Sequence, residues 1–408
     1  MVSSPAKSPH LERLFSQRAL TVDPAPLLQG MDDVGEKISF TFGFPDPASL
    51  PASEIAEVTT RVMAERGSAA LQYGDNNGYS GLIDVLLTKL KRDQGIVAKP
   101  ENILITAGGS QAIGLLLDAF VNWGDTICSE MPTWLGAVDA FRNVGANVVP
   151  IPVDASGTDV KVLGRELARL KAEGITPKFV YVISNFQNPT GVTMTLERRK
   201  ELLDLVYDAG TMLIEDDAYF DLRYGGENLP AIYSLDTTGS VIYMGTFSKT
   251  MGPGMRLGWL VAPAEVIRRI AALKVDGGTN VFGAHVAADW LPEGLLPHVS
   301  ELREIYRRRR DIMLAALAQH MPPGVTWTIP DGGFFIWVTL PEGIDTTRMH
   351  PQVRELGVEY LPGATCFADR TGANKLRLSF SFVGDDRIEQ GIRTIAEVIR
   401  GELQEARG

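Results

Sequence analysis

Residues 179–217 read FVYVISNFQNPTGVTMTLERRKELLDLVYDAGTMLIEDD. The stretch opens with the strand-length run FVYVI, turns at Asn188-Pro189-Thr190-Gly191, shows a helical pattern over 195–209, and ends in a second strand-length run, MLIED, at 212–216. A strand apolar at every position has no solvent face, so it belongs in a sheet covered on both sides. The helix between the two runs makes them a parallel pair joined by a crossover.

The same rhythm extends outward. Residues 103–107 (ILITA), 126–130 (TICSE), 147–151 (NVVPI) and 241–245 (VIYMG) are strand-length runs bounded by Gly, Pro, Asn or Asp, and helical patterns fill 110–122, 133–144 and 160–173. The reading is an α/β fold whose large domain has a mostly parallel sheet with helices on both faces. Such sheets bind ligands beyond the carboxyl ends of their strands. The flanks differ. Residues 1–50 are rich in Pro and Gly with one short helical stretch, LERLFSQRAL, while a long charged helix is expected over 297–319, then two β-rich pieces, GGFFIWVTL and KLRLSFSF, and a last helix from about 385 to 405. This pattern predicts a smaller α+β domain assembled from both chain ends. The expected division is 1–49 as N-terminal segment and part of the small domain, 50–288 as large domain, and 289–408 as C-terminal small domain.

The chain has 408 residues, 39 basic and 50 acidic side chains and a formal charge of −11. That length suits two or three domains, and the acidic balance argues against a nucleic-acid partner. The basic run Arg307 to Arg310 reads as a solvated helix face or as a phosphate-binding patch. The two cysteines, Cys128 and Cys366, lie in no CxxC, and the start, MVSSPAKSPH, lacks an apolar h-region. With no apolar run near the ~18 residues of a membrane span, the expectation is a cytoplasmic protein without a membrane partner. The five histidines, at 10, 285, 298, 320 and 350, show no ligand spacing, so no metal site is expected. No GxSxG elbow, no GxxxxGK[ST] and no GxGxxG after a strand occurs, which removes the main signals of hydrolase, P-loop and dinucleotide-binding chemistry.

Four stretches at strand ends carry candidate chemistry. In T106-A-G-G-S-Q111, Gly108 and Gly109 permit close backbone approach, and the helix start with Ser110 suits a phosphate; the alternative is a plain glycine turn with Ser110 as N-cap. Asn188-Pro189-Thr190-Gly191 is either a turn alone or a turn that presents Asn188. MLIEDDAY ends in Asp216 and Asp217, followed by Tyr219; acids at a strand end are caps or solvated groups, or one pairs with a cationic ring nitrogen. In T246-F-S-K249-T-M-G-P-G-M-R256, a lysine follows a buried strand and precedes a Gly/Pro-rich loop. It is a surface charge, or a desolvated amine able to form a Schiff base, with Arg256 and neighbouring hydroxyls neutralising a phosphate. Taken together, a phosphate cradle, an acid for a pyridinium nitrogen, phenol and amide donors and a Schiff-base lysine are what pyridoxal phosphate requires.

With these residues assembled, the chain resembles the fold-type I, pyridoxal-phosphate-dependent class I/II aminotransferases, in the branch that holds 2-aminoadipate and kynurenine aminotransferases and the aminotransferase-like domains of MocR regulators. The resemblance runs from ISFTFGFPDP, at Ile38, to LRLSFSF, at Arg377. It implies a seven-stranded-type large sheet and the following roles. Lys249 forms the Schiff base and shuttles the substrate Cα proton, Asp216 keeps the pyridine nitrogen protonated, and Asn188 and Tyr219 hydrogen-bond the ring hydroxyl. Trp134 stacks on the ring, with a buried core Trp as the alternative. Ser110, Gln111, Thr246, Ser248 and Arg256 hold the phosphate, Thr246 standing where many relatives carry Ser, and Tyr73 reaches the phosphate of a neighbouring subunit, which implies a homodimer with shared sites. Arg377 clamps the substrate α-carboxylate, with Gly43 as a backbone contact beside it. After Gly81 the chain reads L-I-D where relatives often have Leu-Arg.

The implied activity is ping-pong transamination between an α-amino acid and a 2-oxo acid, with glutamate and 2-oxoglutarate as the expected pair. A lyase or oxidative deaminase would share every cofactor contact, and a cofactor-sensing effector module of a regulator is the reading outside enzymology. Side-chain specificity stays open: Phe40, Phe42, Phe44, Phe282 and Phe334 line an apolar pocket or pack the core, and Arg18 meets a distal carboxylate or is a solvated helix arginine.

Overall fold

The computed structural model describes residues 13–21 and 37–405; the remainder of segment 1–49, including the start of LERLFSQRAL, lies outside the described residues. Strands β1 (Ile38–Ser39), β2 (Ile103–Thr106), β3 (Thr126–Met131), β4 (Asn147–Asp154), β5 (Gly157–Thr158), β6 (Phe179–Ile183), β7 (Met212–Asp216), β8 (Val241–Thr246) and β9 (Gly258–Val261) precede a long helix. Strands β10 (Thr326–Trp327), β11 (Phe335–Thr339), β12 (Val358–Glu359), β13 (Leu361–Pro362) and β14 (Lys375–Ser379) follow it.

The large sheet has the spatial order β2-β9-β8-β7-β6-β3-β4-β5. Its centre, β4-β3-β6-β7-β8, is parallel, β9 runs antiparallel between β2 and β8, and the two-residue β5 adds a short hairpin to β4. All six strand-length runs read from the sequence are strands of this sheet. The other two, β5 and β9, carry no strand-length signal in the sequence: Gly157–Thr158 is two residues long, and Gly258–Val261 is only four and follows the Gly/Pro-rich loop.

Alternation along β6 explains its uniform apolarity. Phe179, Tyr181 and Ile183 enter one core layer with helices Gly109–Phe120 and Leu135–Asn143, while Val180 and Val182 enter another with helices Val160–Ala172 and Leu196–Ala209. Every residue of the strand is therefore buried.

The small domain carries the antiparallel sheet β10-β11-β14-β13 and the parallel pair β1-β12. Its core joins Ile38 and Phe40 from the N-terminal side to Leu302, Tyr306 and Leu317 of the long helix, Ile336 and Leu378 of the sheet, and Ile388, Ile392 and Ile399 of the last helix. That last helix spans Asp385–Glu405, as expected. The long helix starts earlier than its charge pattern suggested. It runs Val281–His320, with Pro292 and Pro297 inside it. The apolar residues before 297 bury against the large domain, so only the later, charged part shows a helical surface pattern. The expected boundary at 288/289 falls within one continuous helix, whose residues to Val299 pack in the large-domain core and those from Leu302 in the small-domain core; we propose that the division 1–49, 50–288 and 289–408 has its packing changeover between Val299 and Leu302 and does not mark separable chain segments.

The basic run is neither solvated throughout nor a free phosphate patch. Arg309 is buried and ties Asp46, Asp385 and the Ser381 carbonyl together, Arg308 shares Asp385, Arg307 pairs with Glu304, and Arg310 pairs with Asp311. Among the described residues no helix is long and apolar enough to cross a membrane, and no cluster of metal-ligating side chains occurs.

Candidate active site

The carboxyl ends of β6, β7 and β8 deliver the first group of side chains. Asp216 is the last residue of β7 and pairs in register with Ile183, the last of β6, so the SNFQNPTG turn and the DDAY segment emerge side by side. Asp216 is buried and accepts a 2.6 Å hydrogen bond from the Tyr181 hydroxyl. Burial pushes its carboxyl up to about 6, against the pull of the Tyr181 hydroxyl, the Ala218 N–H and the Lys249 charge.

Lys249 follows β8 and turns its amine into the same space. Nζ donates to the Gly43 carbonyl at 3.0 Å and stands 5.8 Å from the centre of the Tyr219 ring. Burial and the nearby Arg377 and Arg256 charges push the amine down to about 8, with Asp216 opposing. A lysine so placed is neutral for a useful fraction of the time near neutral pH, which a nucleophile or base needs.

Arg377 comes from β14, opposite Trp337 of β11. Its Nη1 donates to Asn188 Oδ1 at 2.8 Å, its Nη2 donates to the Thr41 carbonyl at 2.5 Å, and its guanidinium lies 4.2 Å above the Phe335 ring. Asn188 also hydrogen-bonds the Tyr219 hydroxyl. The Nε of Arg377 is buried without a hydrogen-bond partner. A buried guanidinium with an unused donor has the chemistry to accept a carboxylate.

A second group faces the head of helix Gly109–Phe120. Its N-cap is Gly108, at φ +76° and without a side-chain cap, which overturns the alternative of Ser110 as N-cap. Ser110 lies exposed in the first turn, so the early helical N–H groups and its hydroxyl remain available to an anion. Arg256 donates to the Ala107 carbonyl at 2.5 Å, and its guanidinium sits so close over Gly108 that a Cβ there would meet it at 3.0 Å. Thr246 Oγ1 and Ser248 Oγ lie 2.9 Å apart beside it. Gln111 folds back, its Oε1 accepting from the Ala107 N–H at 2.6 Å while its Nε2 donates to Asp276 at 3.4 Å. Uncapped N–H groups, three hydroxyls and a guanidinium fit a phosphate.

The remaining predicted residues fall as follows. Trp134 is half-buried at the head of helix Leu135–Asn143, its indole against Gly136. Tyr73 is 85 % exposed and lies against Gly277. Gly43 meets Lys249 through its carbonyl and Phe335 through its α-carbon, since a Cβ would stand 2.5 Å from that ring. Phe40 and Phe334 belong to the small-domain core and Phe282 packs against the large-domain core, while Phe42 and Phe44 stack at 4.9 Å. Arg18 pairs with Asp118 at 3.3 Å. Tyr181 is the residue the sequence reading missed. Inside FVYVI it looks like one more strand aromatic, and its hydroxyl is the only sign of a polar task.

Residues 36–395 match the family "Aminotransferase class I and II". The chain belongs to that family. It is a transaminase, and pyridoxal phosphate is its cofactor. Among relatives, this aminotransferase is 40% identical over 398 residues to an aromatic-amino-acid aminotransferase of Thermococcus litoralis, covering 96% of this chain and 95% of the other. It is 34% identical to a 2-aminoadipate transaminase of Thermus thermophilus, over 90% of this chain and 91% of that one. A solved structure of the Pyrococcus horikoshii kynurenine aminotransferase, in complex with PMP, is 40% identical and superposes with a TM-score of 0.92 over 96% of this chain and 98% of that chain. These likenesses put the aminotransferase in the aromatic, 2-aminoadipate and kynurenine branch, on the fold-type I scaffold.

Proposed function

We propose that this aminotransferase moves an amino group between an α-amino acid and a 2-oxo acid by a ping-pong sequence, with glutamate and 2-oxoglutarate as one pair. The observation that carries the reading is the meeting of Lys249, Asp216 and Tyr219 with a buried Arg377 whose Nε has no partner. Bound pyridoxal phosphate supplies an aldehyde for amines and a ring that accepts the electrons released at the substrate Cα.

The chain's own residues supply the rest. Arg377 takes the α-carboxylate, with Nε free for it and with Asn188 and Phe335 fixing the guanidinium plane. So held, the substrate turns its Cα–H toward Lys249, whose lowered amine takes that proton and later returns one. Asp216 carries the negative charge that holds a proton on a ring nitrogen, Asn188 and Tyr219 serve the ring hydroxyl, and Trp134 covers the ring. The phosphate rests on Ser110, Gln111, Thr246, Ser248 and Arg256. One substrate leaves as a 2-oxo acid before the second 2-oxo acid enters.

The exposed Tyr73 supports a homodimer in which this tyrosine reaches the partner's phosphate. A protein without a membrane-crossing helix among its described residues, and with two buried free cysteines, fits a cytoplasmic setting.

The test is an absorbance spectrum of the holoenzyme before and after single amino acids, glutamate and 2-aminoadipate among them, with no 2-oxo acid present. Conversion of the lysine-bound cofactor band to an amine-form band, reversed by 2-oxoglutarate, is the expected result. Oxygen consumption, or a long-wavelength band that persists without release of a 2-oxo acid, would favour oxidative or lyase chemistry instead.

A further inference from the structure

Tyr181 is buried within an apolar layer. It sits at the middle of β6, its ring held edge-on by Phe141 at 5.5 Å between centroids, among Ile183, Ile214 and Met244. A phenol hydroxyl in such a place needs a partner, and its partner is Asp216 Oδ2 at 2.6 Å. The bond is short, enclosed and joins two side chains of neighbouring strands whose backbones are locked in register, Tyr181 beside Ile214 and Ile183 beside Asp216. Neither group can swing away to another partner.

The other groups facing Asp216 define what this hydroxyl does. Lys249 is the nearby cation, Tyr219 contributes a buried phenol, and Glu130, at the end of β3, is a second carboxyl close enough to repel the Asp216 charge. Glu130 is itself occupied, accepting from the Ile183 N–H at 2.7 Å, Gln187 at 3.1 Å and Thr158 at 2.9 Å. Apart from the Ala218 N–H, Tyr181 is thus the donor that stabilises the ionised form of Asp216.

We propose that Tyr181 is a positioning residue that lowers the basicity of Asp216 and so keeps the shared proton on the cofactor's ring nitrogen and off the carboxyl oxygen. The inference rests on the reading of Asp216 as the ring-nitrogen contact. When an acid and a pyridine share one proton, the proton resides on the more basic partner, and a hydrogen bond donated to the carboxylate takes basicity from it. Without the hydroxyl, the proton shifts toward Asp216, the ring loses part of its positive charge, and the lysine-bound nitrogen of the cofactor becomes more basic.

The experiment measures the pH midpoint of the visible absorbance change of the holoenzyme, and the cofactor dissociation constant, in wild type, Tyr181→Phe, Asp216→Asn and the double variant. Tyr181→Phe is expected to raise the midpoint by about one pH unit and to weaken cofactor retention about tenfold, with kcat lowered about tenfold and KM little changed. In the Asp216→Asn background the same substitution should change neither midpoint nor retention. Fluorinated tyrosine at position 181 keeps the shape and strengthens the donor, so it should move the midpoint downward, opposite to phenylalanine, even if the phenylalanine variant folds poorly.

The proposal falls if Tyr181→Phe leaves midpoint and retention unchanged, if it shifts them equally in the Asp216→Asn background, or if fluorination has no graded effect. An Asp216→Asn protein with wild-type midpoint and retention would instead overturn the underlying assignment of Asp216.

Discussion

Arg377 Nη1 donates to Asn188 Oδ1 at 2.8 Å, so a strand of the small sheet and a turn of the large sheet hold each other at the point where a substrate carboxylate would sit. The asparagine is shared, because it also bonds Tyr219. Replacing Arg377 with Lys removes the planar fork and is expected to raise KM about a hundredfold for every amino acid tested, whatever its side chain. Asn188→Ala should lower kcat as well as raise KM, since it frees both partners. Steady-state kinetics with three amino acids of different side chain checks both, and a side-chain-dependent effect of Arg377→Lys would remove it from the α-carboxylate role.

Gly43 admits no side chain. A Cβ would stand 2.5 Å from Cζ of Phe335, a ring that is itself buried against Tyr219. Gly43→Ala must therefore push the chain near 41–44 away, taking the Gly43 carbonyl from Lys249 and the Thr41 carbonyl from Arg377. The expected result is a loss of about 1–3 kcal/mol in stability, by thermal denaturation, together with a raised KM.

Two titrations bracket cofactor uptake by the cofactor-free protein. The Lys249 amine reacts only when neutral, and burial sets it at about 8, so the rate of pyridoxal phosphate uptake should rise about tenfold per pH unit below 8 and level off above. Asp216, raised to about 6, is ionised above that pH and protonated below it, so retention should weaken as pH falls through 6. Stopped-flow absorbance measures the first and dialysis the second. Lys249→Ala should show neither the lysine-bound band nor turnover, and appreciable turnover without added amine would remove Lys249 from its role.

Glu130 organises the turn that carries Asn188. Its carboxyl, pushed up to about 8 by burial, receives the Ile183 N–H, Gln187 and Thr158, and Gln187 in turn braces Thr190 and the Pro132 carbonyl. Glu130→Ala leaves buried donors unmet and should cost about 3 kcal/mol. A shift in thermal midpoint measures the cost, and an unchanged midpoint would show that water replaces the carboxyl.

Much of this was legible in sequence because the large sheet writes a strong signal. FVYVI, MLIED and VIYMG are apolar throughout, and residues at their carboxyl ends point to one place by topology. The segments that carry Lys249, Asp216 with Asp217, Asn188 and Arg256 could therefore be picked out from order and spacing, while the choice of Asp216 over Asp217 and the role of Asn188 came from the family resemblance. Tyr181 could not, since its hydroxyl gains a task only through a neighbour 35 positions away. The first half of the long helix was hidden for a related reason: from Val281 to Leu295 it is buried on several sides, and an element wrapped by core shows no polar stripe to mark its period. Ser110 was offered as an N-cap because its type favours that place, but Gly108 at φ +76° starts the helix two residues earlier.

The parallel pairing of β1 with β12 ties residues near 38 to residues near 358. During synthesis the first of these leaves the ribosome roughly 300 residues ahead of its partner, so Ile38 and Phe40 emerge long before the core that covers them exists. The large sheet, built between residues 103 and 261, can close while synthesis continues. The small domain cannot, because its contacts carry the largest sequence separations in the chain, and loop closure over that distance delays it until the last helix is made. Thr41 and Gly43 lie on that late-joining strip, and their carbonyls hold Arg377 and Lys249. A nascent chain thus sets Asp216, Lys249 and Arg256 at the large sheet before the late strip brings the Gly43 carbonyl to Lys249 and the Thr41 carbonyl to Arg377.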